Sequence, residues 1–273
     1  MEEGDIHMTI DYAFIENKFY IRKAAPLQPP LWSSPAAELL QPAVMKDFLE
    51  LFAQRIKALE LPVAAVYFGS WLGFLALGQQ YAMSAGNTSL DLSLTNLEIM
   101  LQEHNGHTIM TFNLGAGGET SAPENACERT AWLDSSLEAL YGCTLRPLLE
   151  AAAEAGGAEI GQLWGQFPTK FNYYMAYWEA EIADEALLGR VREDYRYLRE
   201  EFPAEMFGRK KNPLDVKIRW IEDLKEPGKQ MRMKNACCMY YRTEGGYYCY
   251  TCPRMKEEER AERREKARAT AMV

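Results

Sequence analysis

The 273-residue sequence lacks several features that would place it in a membrane or secretory class. Its first residues, MEEGDIHMTIDY, have neither a basic segment nor a continuous apolar stretch, so they do not resemble a secretory signal. No apolar run reaches the roughly 20 residues that a spanning helix needs. The most apolar segment, residues 61 to 77, contains Pro62, Gly69, Ser70 and Gly73. We therefore expect a cytoplasmic protein in which this segment forms a buried helix, with shallow contact with a membrane surface as the alternative.

The sequence also lacks an internal repeat and a complete dinucleotide-binding motif. Residues 115 to 118 read Gly-Ala-Gly-Gly, but Thr120 stands where the third glycine of the motif would fall, and no helix is expected to begin directly afterwards. Nucleotide binding by this loop is therefore not expected.

The composition is that of an ordinary globular protein, with 48% hydrophobic and 25% charged residues, which excludes collagen-like and wholly disordered chains. The net charge of −9 conceals an asymmetry. Residues 209–273 contain 17 Lys or Arg and 10 Asp or Glu, a net of +7, and residues 1–208 therefore carry −16. We predict an acidic domain over 1–208 and a basic segment over 209–273, which favours anionic partners.

The hydrophobic pattern predicts an α+β fold. Residues 45–60 have helical spacing, and alternation over 89–114 predicts strands joined by a hairpin turn at Asn105-Gly106. Helical patterns follow over about 128–155, 170–182 and 186–201, and a charged, solvated helix is expected over about 255–268. Strands followed by consecutive helices favour an antiparallel sheet with packed helices over alternating parallel units.

Four of the six cysteines lie within 16 residues, in the pattern C-C-x10-C-x2-C: Cys237, Cys238, Cys249 and Cys252. Such clustering in a cytoplasmic chain indicates a metal site more readily than disulfides. The tyrosine-rich sequence between the pairs predicts a hairpin that brings them together. Adjacent cysteines would strain one tetrahedral zinc, whereas a 2Fe-2S cluster spreads four thiolates over two irons. Zinc and free thiols remain open alternatives at this point.

This cysteine pattern resembles the C-terminal motif of the FhuF-like siderophore-iron reductases. Asn212-Pro213-Leu214, Cys252-Pro253 and, more weakly, Leu163-Trp164-Gly165 are also similar to family signatures. The resemblance, which we expect to extend over most of the chain, implies a 2Fe-2S cluster on the four cysteines. It also implies a cytoplasmic enzyme that reduces siderophore-bound Fe(III) to Fe(II), and it leaves room for peripheral contact with the inner membrane. In the absence of a nucleotide motif, electrons would come from a separate donor, either ferredoxin-like or an NAD(P)H-dependent reductase.

Basic residues near the cysteines are the candidate contacts for an anionic ferric siderophore: Arg232, Lys234, Arg242 and Arg254. One alternative is a structural zinc module that binds nucleic acid through Lys210, Lys211, Lys217 and Arg219, although nucleic acid is not the expected partner. Another is an iron-sulfur sensor or electron carrier.

The cysteines outside the motif, Cys127 and Cys143, are expected to be buried and structural. His104 and His107 flank the hairpin turn and need no function there.

Overall fold

The computed structural model describes residues 10–23 and 29–270 and confirms an α+β fold. The helices are α1 (Tyr12–Phe19), α2 (Pro42–Arg55), α3 (Leu61–Gly86), α4 (Ala126–Leu137), α5 (Arg146–Gly156), α6 (Ile160–Trp164), α7 (Phe167–Glu181), α8 (Glu185–Glu200) and α9 (Glu257–Thr270). The strands are β1 (Ile21–Arg22), β2 (Trp32–Pro35), β3 (Thr88–Leu90), β4 (Leu97–His104), β5 (His107–Leu114), β6 (Glu119–Ser121), β7 (Trp220–Glu222) and β8 (Gln230–Arg232).

The largest sheet among these residues has the order β1-β5-β4-β2. Its centre is the antiparallel hairpin β4–β5, in which His104 pairs with His107 across the predicted turn. Asn105 and Gly106 have φ values of +50° and +74°, which is the positive φ at both central positions that a type I′ turn requires. The predicted hairpin is thus confirmed, while the short strand β1 pairs with β5 in parallel.

Helix α3 is the structural centre of the molecule and packs against α1, α2, α5, α6, α7 and α8. By length and composition it could cross a membrane, but 67% of its most apolar window is buried inside the protein. Its polar residues have internal partners: the Gln79 amide donates to Ser89 Oγ at 2.7 Å, and Ser84 donates to Asp194 at 2.8 Å. The prediction of a buried helix is confirmed, and it extends nine residues beyond Leu77.

The predicted helix over 128–155 consists of α4 and α5 joined by a π-helical stretch, Glu138–Leu145. Helices α7 and α8 correspond to the other two predicted helices, and Asp184 caps α8 by accepting from the backbone N–H groups of Ala186 and Leu187. Helix α6 lies directly before α7, so the segment from Ile160 to Glu181 is nearly continuous.

The chain enters its C-terminal segment through the Asn-Pro-Leu sequence at 212–214. Asn212 Nδ2 donates to the carbonyl of Leu198 at 2.7 Å, and its Oδ1 accepts from Leu214 N at 2.9 Å. This turn caps the C-terminal end of α8 and inserts Leu214, 1% exposed, into the main core. The division at residues 208 and 209 stays a prediction, but the segment after it packs on the body of the protein.

Candidate metal centre

The four motif cysteines lie in turns that the body of the protein holds in place. The expected strand hairpin between the two pairs is wrong: Tyr240–Arg242 forms a 3-10 turn, and Thr243 forms an isolated bridge with Ala58. The reason is that Met239 has φ +62°, which turns the chain immediately after the adjacent cysteines. Backbone groups of this segment then form turns and also pair with the α2–α3 connection, with Leu59 N donating to Arg242 O and Glu244 N to Lys57 O.

The turns nevertheless bring the cysteines together: Cys237 lies beside Cys252, and Cys238 lies beside Cys249. Cys252 Sγ lies 3.4 Å from Cys237 Sγ, and Cys238 and Cys249 lie close enough for each to shift the pKa of the other. Within the described part of the chain, no three Cys, His, Asp or Glu side chains converge on one point. Two neighbouring pairs of thiols can supply two thiolates to each iron of a 2Fe-2S cluster.

The pair formed by Cys237 and Cys252, which we call the inner pair, differs in burial and in electrostatics from the outer pair formed by Cys238 and Cys249. Cys237 and Cys252 are 4% and 2% exposed, and each sulfur accepts from a backbone N–H at 3.4 Å, of Met239 and Arg254 respectively. Burial raises the pKa of Cys252 to about 11. Backbone donors of this kind are what a buried thiolate needs when it binds metal, because they replace lost hydration.

The Cys238 and Cys249 side chains are partly exposed, and Lys234 Nζ lies 3.6 Å from Cys238 Sγ. The neighbouring Cys238 thiol lowers the pKa of Cys249, whereas Cys249 and burial together raise the pKa of Cys238. Burial opposes the charge of Lys234, but the nearby Cys238 and Cys249 outweigh this effect and raise the pKa of Lys234. The surroundings of the four sulfurs therefore suit a negatively charged metal cluster. The outer pair lies beside the ammonium group of Lys234, and the inner pair accepts hydrogen bonds from backbone N–H groups.

Helices α6 and α7 anchor the segment that carries the adjacent cysteines. Gln162 and Gln166 both donate side-chain N–H groups to the carbonyl of Cys237, the second at 3.2 Å. Thr169 Oγ1 accepts from Asn235 N at 3.0 Å. Sequence reasoning missed these three contacts, and the one signal that pointed to this region was the weak Leu163-Trp164-Gly165 similarity.

Gly165 explains that signal in physical terms. A Cβ atom at this position would lie 2.7 Å from Cβ of Ala236, the residue before Cys237. No side chain fits there without a shift of the cysteine segment, so glycine permits the close approach of the α6–α7 junction to the cysteines.

Helix α9 anchors the other side of the cysteine segment. The prediction of a simply solvated helix is wrong, because Arg260 is 1% exposed and donates to the carbonyls of Tyr250, Cys252 and Met255, the last two at 3.2 Å. Further along the same face, Arg263 donates to the carbonyl of Tyr248 at 2.6 Å, and Arg268 to that of Asp223 at 2.8 Å. The helix has almost no apolar face because it docks through guanidinium groups on main-chain carbonyls.

The tyrosines of the segment form two pairs of contacting rings, one tilted and one edge-to-face. The rings of Tyr241 and Tyr248 lie 4.4 Å apart and pack against Cys237 and Cys252, so they shield the inner pair. Tyr240 and Tyr247 pair at 5.3 Å but are exposed, and shielding is therefore limited to one side.

The predicted substrate contacts separate into two groups. Arg232 and Lys234 line an open groove beside the outer cysteine pair, together with Lys217 and Arg219 of the nucleic-acid alternative. Arg242 forms an ion pair with Glu60, and the exposed Arg254 donates to the Tyr241 hydroxyl at 2.8 Å. These last two cations lie outside the lining of the groove.

The remaining sequence candidates lie outside the site. Cys127 and Cys143 are exposed, so the expectation that they are buried is wrong. Gly115 and Gly117 lie close to Asn96, whose Oδ1 accepts from Gly117 N at 2.8 Å. A larger side chain at either position would clash with Asn96, which accounts for the glycines.

Comparison with known families identifies the cysteine segment. The family model of the FhuF 2Fe-2S C-terminal domain matches residues 235–254, which contain all four motif cysteines. No curated protein matches the chain. The cofactor is accordingly a 2Fe-2S cluster, and the alternative of a structural zinc is not supported.

Proposed function

We propose that this protein reduces siderophore-bound Fe(III) to Fe(II) and so releases iron in the cytoplasm. The observation that carries the proposal is the match of the cysteine segment to a FhuF 2Fe-2S domain, in a structure that leaves the Cys238 and Cys249 side of the site partly open. A redox centre that exchanges electrons with a large external chelate has to lie near the surface. We infer that Cys237, Cys238, Cys249 and Cys252 are the ligands.

The reaction balances with one electron per iron. Siderophores hold Fe(III) through hard oxygen donors, and the addition of an electron gives Fe(II), a softer ion of lower charge that such ligands bind less well. A 2Fe-2S cluster supplies this electron singly when it is bound. The electron is replaced by a separate donor, either ferredoxin-like or an NAD(P)H-dependent reductase.

The side chains of this protein provide orientation and charge. Gln162, Gln166 and Arg260 hold the backbone carbonyls of Cys237 and Cys252, so the inner pair is fixed against the body of the protein. The outer pair is thereby turned toward solvent. Lys234 places a positive charge beside this pair, which favours the approach of an anionic substrate and stabilises added negative charge.

The test is anaerobic stopped-flow oxidation of the reduced protein by a panel of ferric siderophores, with Fe(II) trapped by a colorimetric chelator. We expect the visible absorption of the oxidised protein to return and one Fe(II) to appear per electron. If no ferric chelate oxidises the protein but a small redox protein does so rapidly, the protein is an electron carrier. The same preparation yields iron and acid-labile sulfide, whereas a colourless protein with one zinc would contradict the cofactor.

The location is part of the proposal. Imported ferric siderophores become available inside the cell, so we place the reaction in the cytoplasm, with peripheral contact with the inner membrane as a further expectation. Cell fractionation with an antibody against the native protein distinguishes a soluble pool from a salt-extractable membrane pool.

A further inference from the structure

An open groove of about 640 Å³ lies between α7 and the strands β7 and β8, and it ends beside the cysteine site. This volume is within the usual range for small-molecule sites, roughly 300 to 1,000 Å³. The groove is mainly apolar and has an aromatic wall. Tyr173 and Trp220, which contribute to that wall, are 66% and 50% exposed, a large exposure for aromatic side chains.

Four cations line the same groove, namely Lys217, Arg219, Arg232 and Lys234, and the described lining contains no Asp or Glu. Arg219 donates only to main-chain carbonyls, those of Lys234 at 3.4 Å and Asn235 at 3.3 Å. Arg232 donates to the carbonyl of Asn172, and its guanidinium lies 5.3 Å from the Trp220 ring. Because no carboxylate neutralises these groups within the groove, it carries a net positive charge.

The inner end of the groove is one layer of backbone away from the outer thiols. Lys234 N donates to Thr251 O at 3.0 Å, and both residues line the groove. Thr251 lies between Cys249 and Cys252 in the chain, and its Oγ1 is 3.8 Å from Cys249 Sγ. A molecule seated in the groove therefore lies against the partly exposed side of the cysteine site.

We propose that this groove binds the ferric chelate, and that it selects a polyanionic chelate whose iron donors are aromatic, of the catecholate or phenolate class. This inference rests on the proposed function. Deprotonated catecholates give the ferric complex several negative charges, which the four cations complement, and their rings pack on Tyr173 and Trp220 and under guanidinium groups. A ferric trihydroxamate has no net charge at its metal centre and no aromatic donors, so it uses neither feature of the groove.

Binding is tested apart from electron transfer by replacing iron with gallium(III), which the protein cannot reduce. Isothermal titration calorimetry compares a Ga(III) tris-catecholate chelate with a Ga(III) trihydroxamate on the cluster-loaded protein. We expect the catecholate to bind more tightly, and the double variant K217Q/R219Q to weaken its binding at least about tenfold at low salt, since two charge-assisted contacts are lost. The loss should shrink at high salt, where screening has already weakened the attraction.

The matched control is K210Q/K211Q, which removes the same charge from exposed residues of the same segment that do not line the groove. Equal losses in the two double variants, or tighter binding of the trihydroxamate, would overturn the groove assignment. So would an unchanged affinity in K217Q/R219Q combined with slower reduction of the cluster by its donor, which would make the groove a donor surface. The proposed function is judged separately: if the gallium chelate binds in the groove but the ferric chelate does not oxidise the reduced protein, the site stands and the reductase assignment fails.

Discussion

Replacement of Arg260 by Met tests whether helix α9 holds the cysteine segment. The side chain keeps a similar length but loses its donors to the carbonyls of Tyr250, Cys252 and Met255. Since Arg260 is almost fully buried, water does not replace these bonds without local opening. At about 1 kcal/mol for each lost hydrogen bond, the closed form of the segment loses about 3 kcal/mol, a factor of roughly a hundred in the opening equilibrium.

The assay is the rate at which an iron chelator in excess bleaches the visible absorption of the oxidised protein. Loss of the cluster through local opening should be roughly a hundredfold faster in R260M, because the rate follows the opening equilibrium. Far-ultraviolet circular dichroism of the same samples should show that the helical body remains folded. The exposed Lys266 on the same helix provides the control K266M, which should lose its cluster at the wild-type rate.

A second control separates the carbonyl contacts from the ion pair. Arg260 Nε also bonds Glu257 at 2.9 Å, but Glu257 is 66% exposed. Exposed ion pairs contribute about 1 kcal/mol at most, so E257Q should accelerate cluster loss no more than about fivefold. A wild-type rate in R260M, or an effect of E257Q as large as that of R260M, would refute this account of how α9 is docked.

Three further predictions concern the same segment. Single replacements of Cys237, Cys238, Cys249 or Cys252 by Ser should lower iron and acid-labile sulfide from about two of each per chain, whereas C127S and C143S should leave both unchanged; equal retention in all six variants would exclude the ligand assignment. In G165A the added Cβ meets Ala236 at 2.7 Å although φ −62° suits alanine, so the overpacking should cost roughly 1 to 3 kcal/mol and speed cluster loss, while G189A on the open face of α8 should not; chelator bleaching decides between them. Apoprotein should be cut by trypsin within residues 209–273 faster than holoprotein, because a segment with few large aliphatic residues depends on its metal for order, and identical fragment patterns would contradict this coupling.

Local sequence patterns were sufficient to predict those structural features that depend on residues close together in the chain. The Asn105-Gly106 turn and the length of β4 and β5 follow from alternation and from the positive φ that the turn demands. The apolar run beginning at Leu61 indicated a buried helix, and the clustered cysteines together with the family resemblance indicated a 2Fe-2S cluster, which the matching family model supports. Each of these features can be recognised within about 20 residues of sequence.

The contacts that hold the cysteine segment could not be predicted in this way. Gln162 and Gln166 are separated from Cys237 by 75 and 71 positions, and a glutamine that donates to a distant carbonyl has no local pattern. The arginines of α9 alternate with glutamates as in a solvated helix, and their burial depends on main-chain carbonyls that the sequence does not reveal. Nearness in sequence was also a poor guide to the groove, since Arg242 and Arg254 are close to the cysteines but lie outside its lining.

The positions of these contacts divide the site into a fixed side and an open side. Both members of the inner pair have anchored carbonyls, Cys237 by glutamines of α6 and the α6–α7 junction and Cys252 by Arg260, whereas the outer pair contacts Lys234 beside the groove. Arg260 and the groove cations Lys217 and Arg219 have no common partner among the residues that the structure describes, so their effects should be independent. Combining R260M with K217Q/R219Q should therefore give the cluster-loss rate of the first variant and the chelate affinity of the second. A strong coupling between the two measurements would mean that the groove is formed only when the inner pair is fully docked.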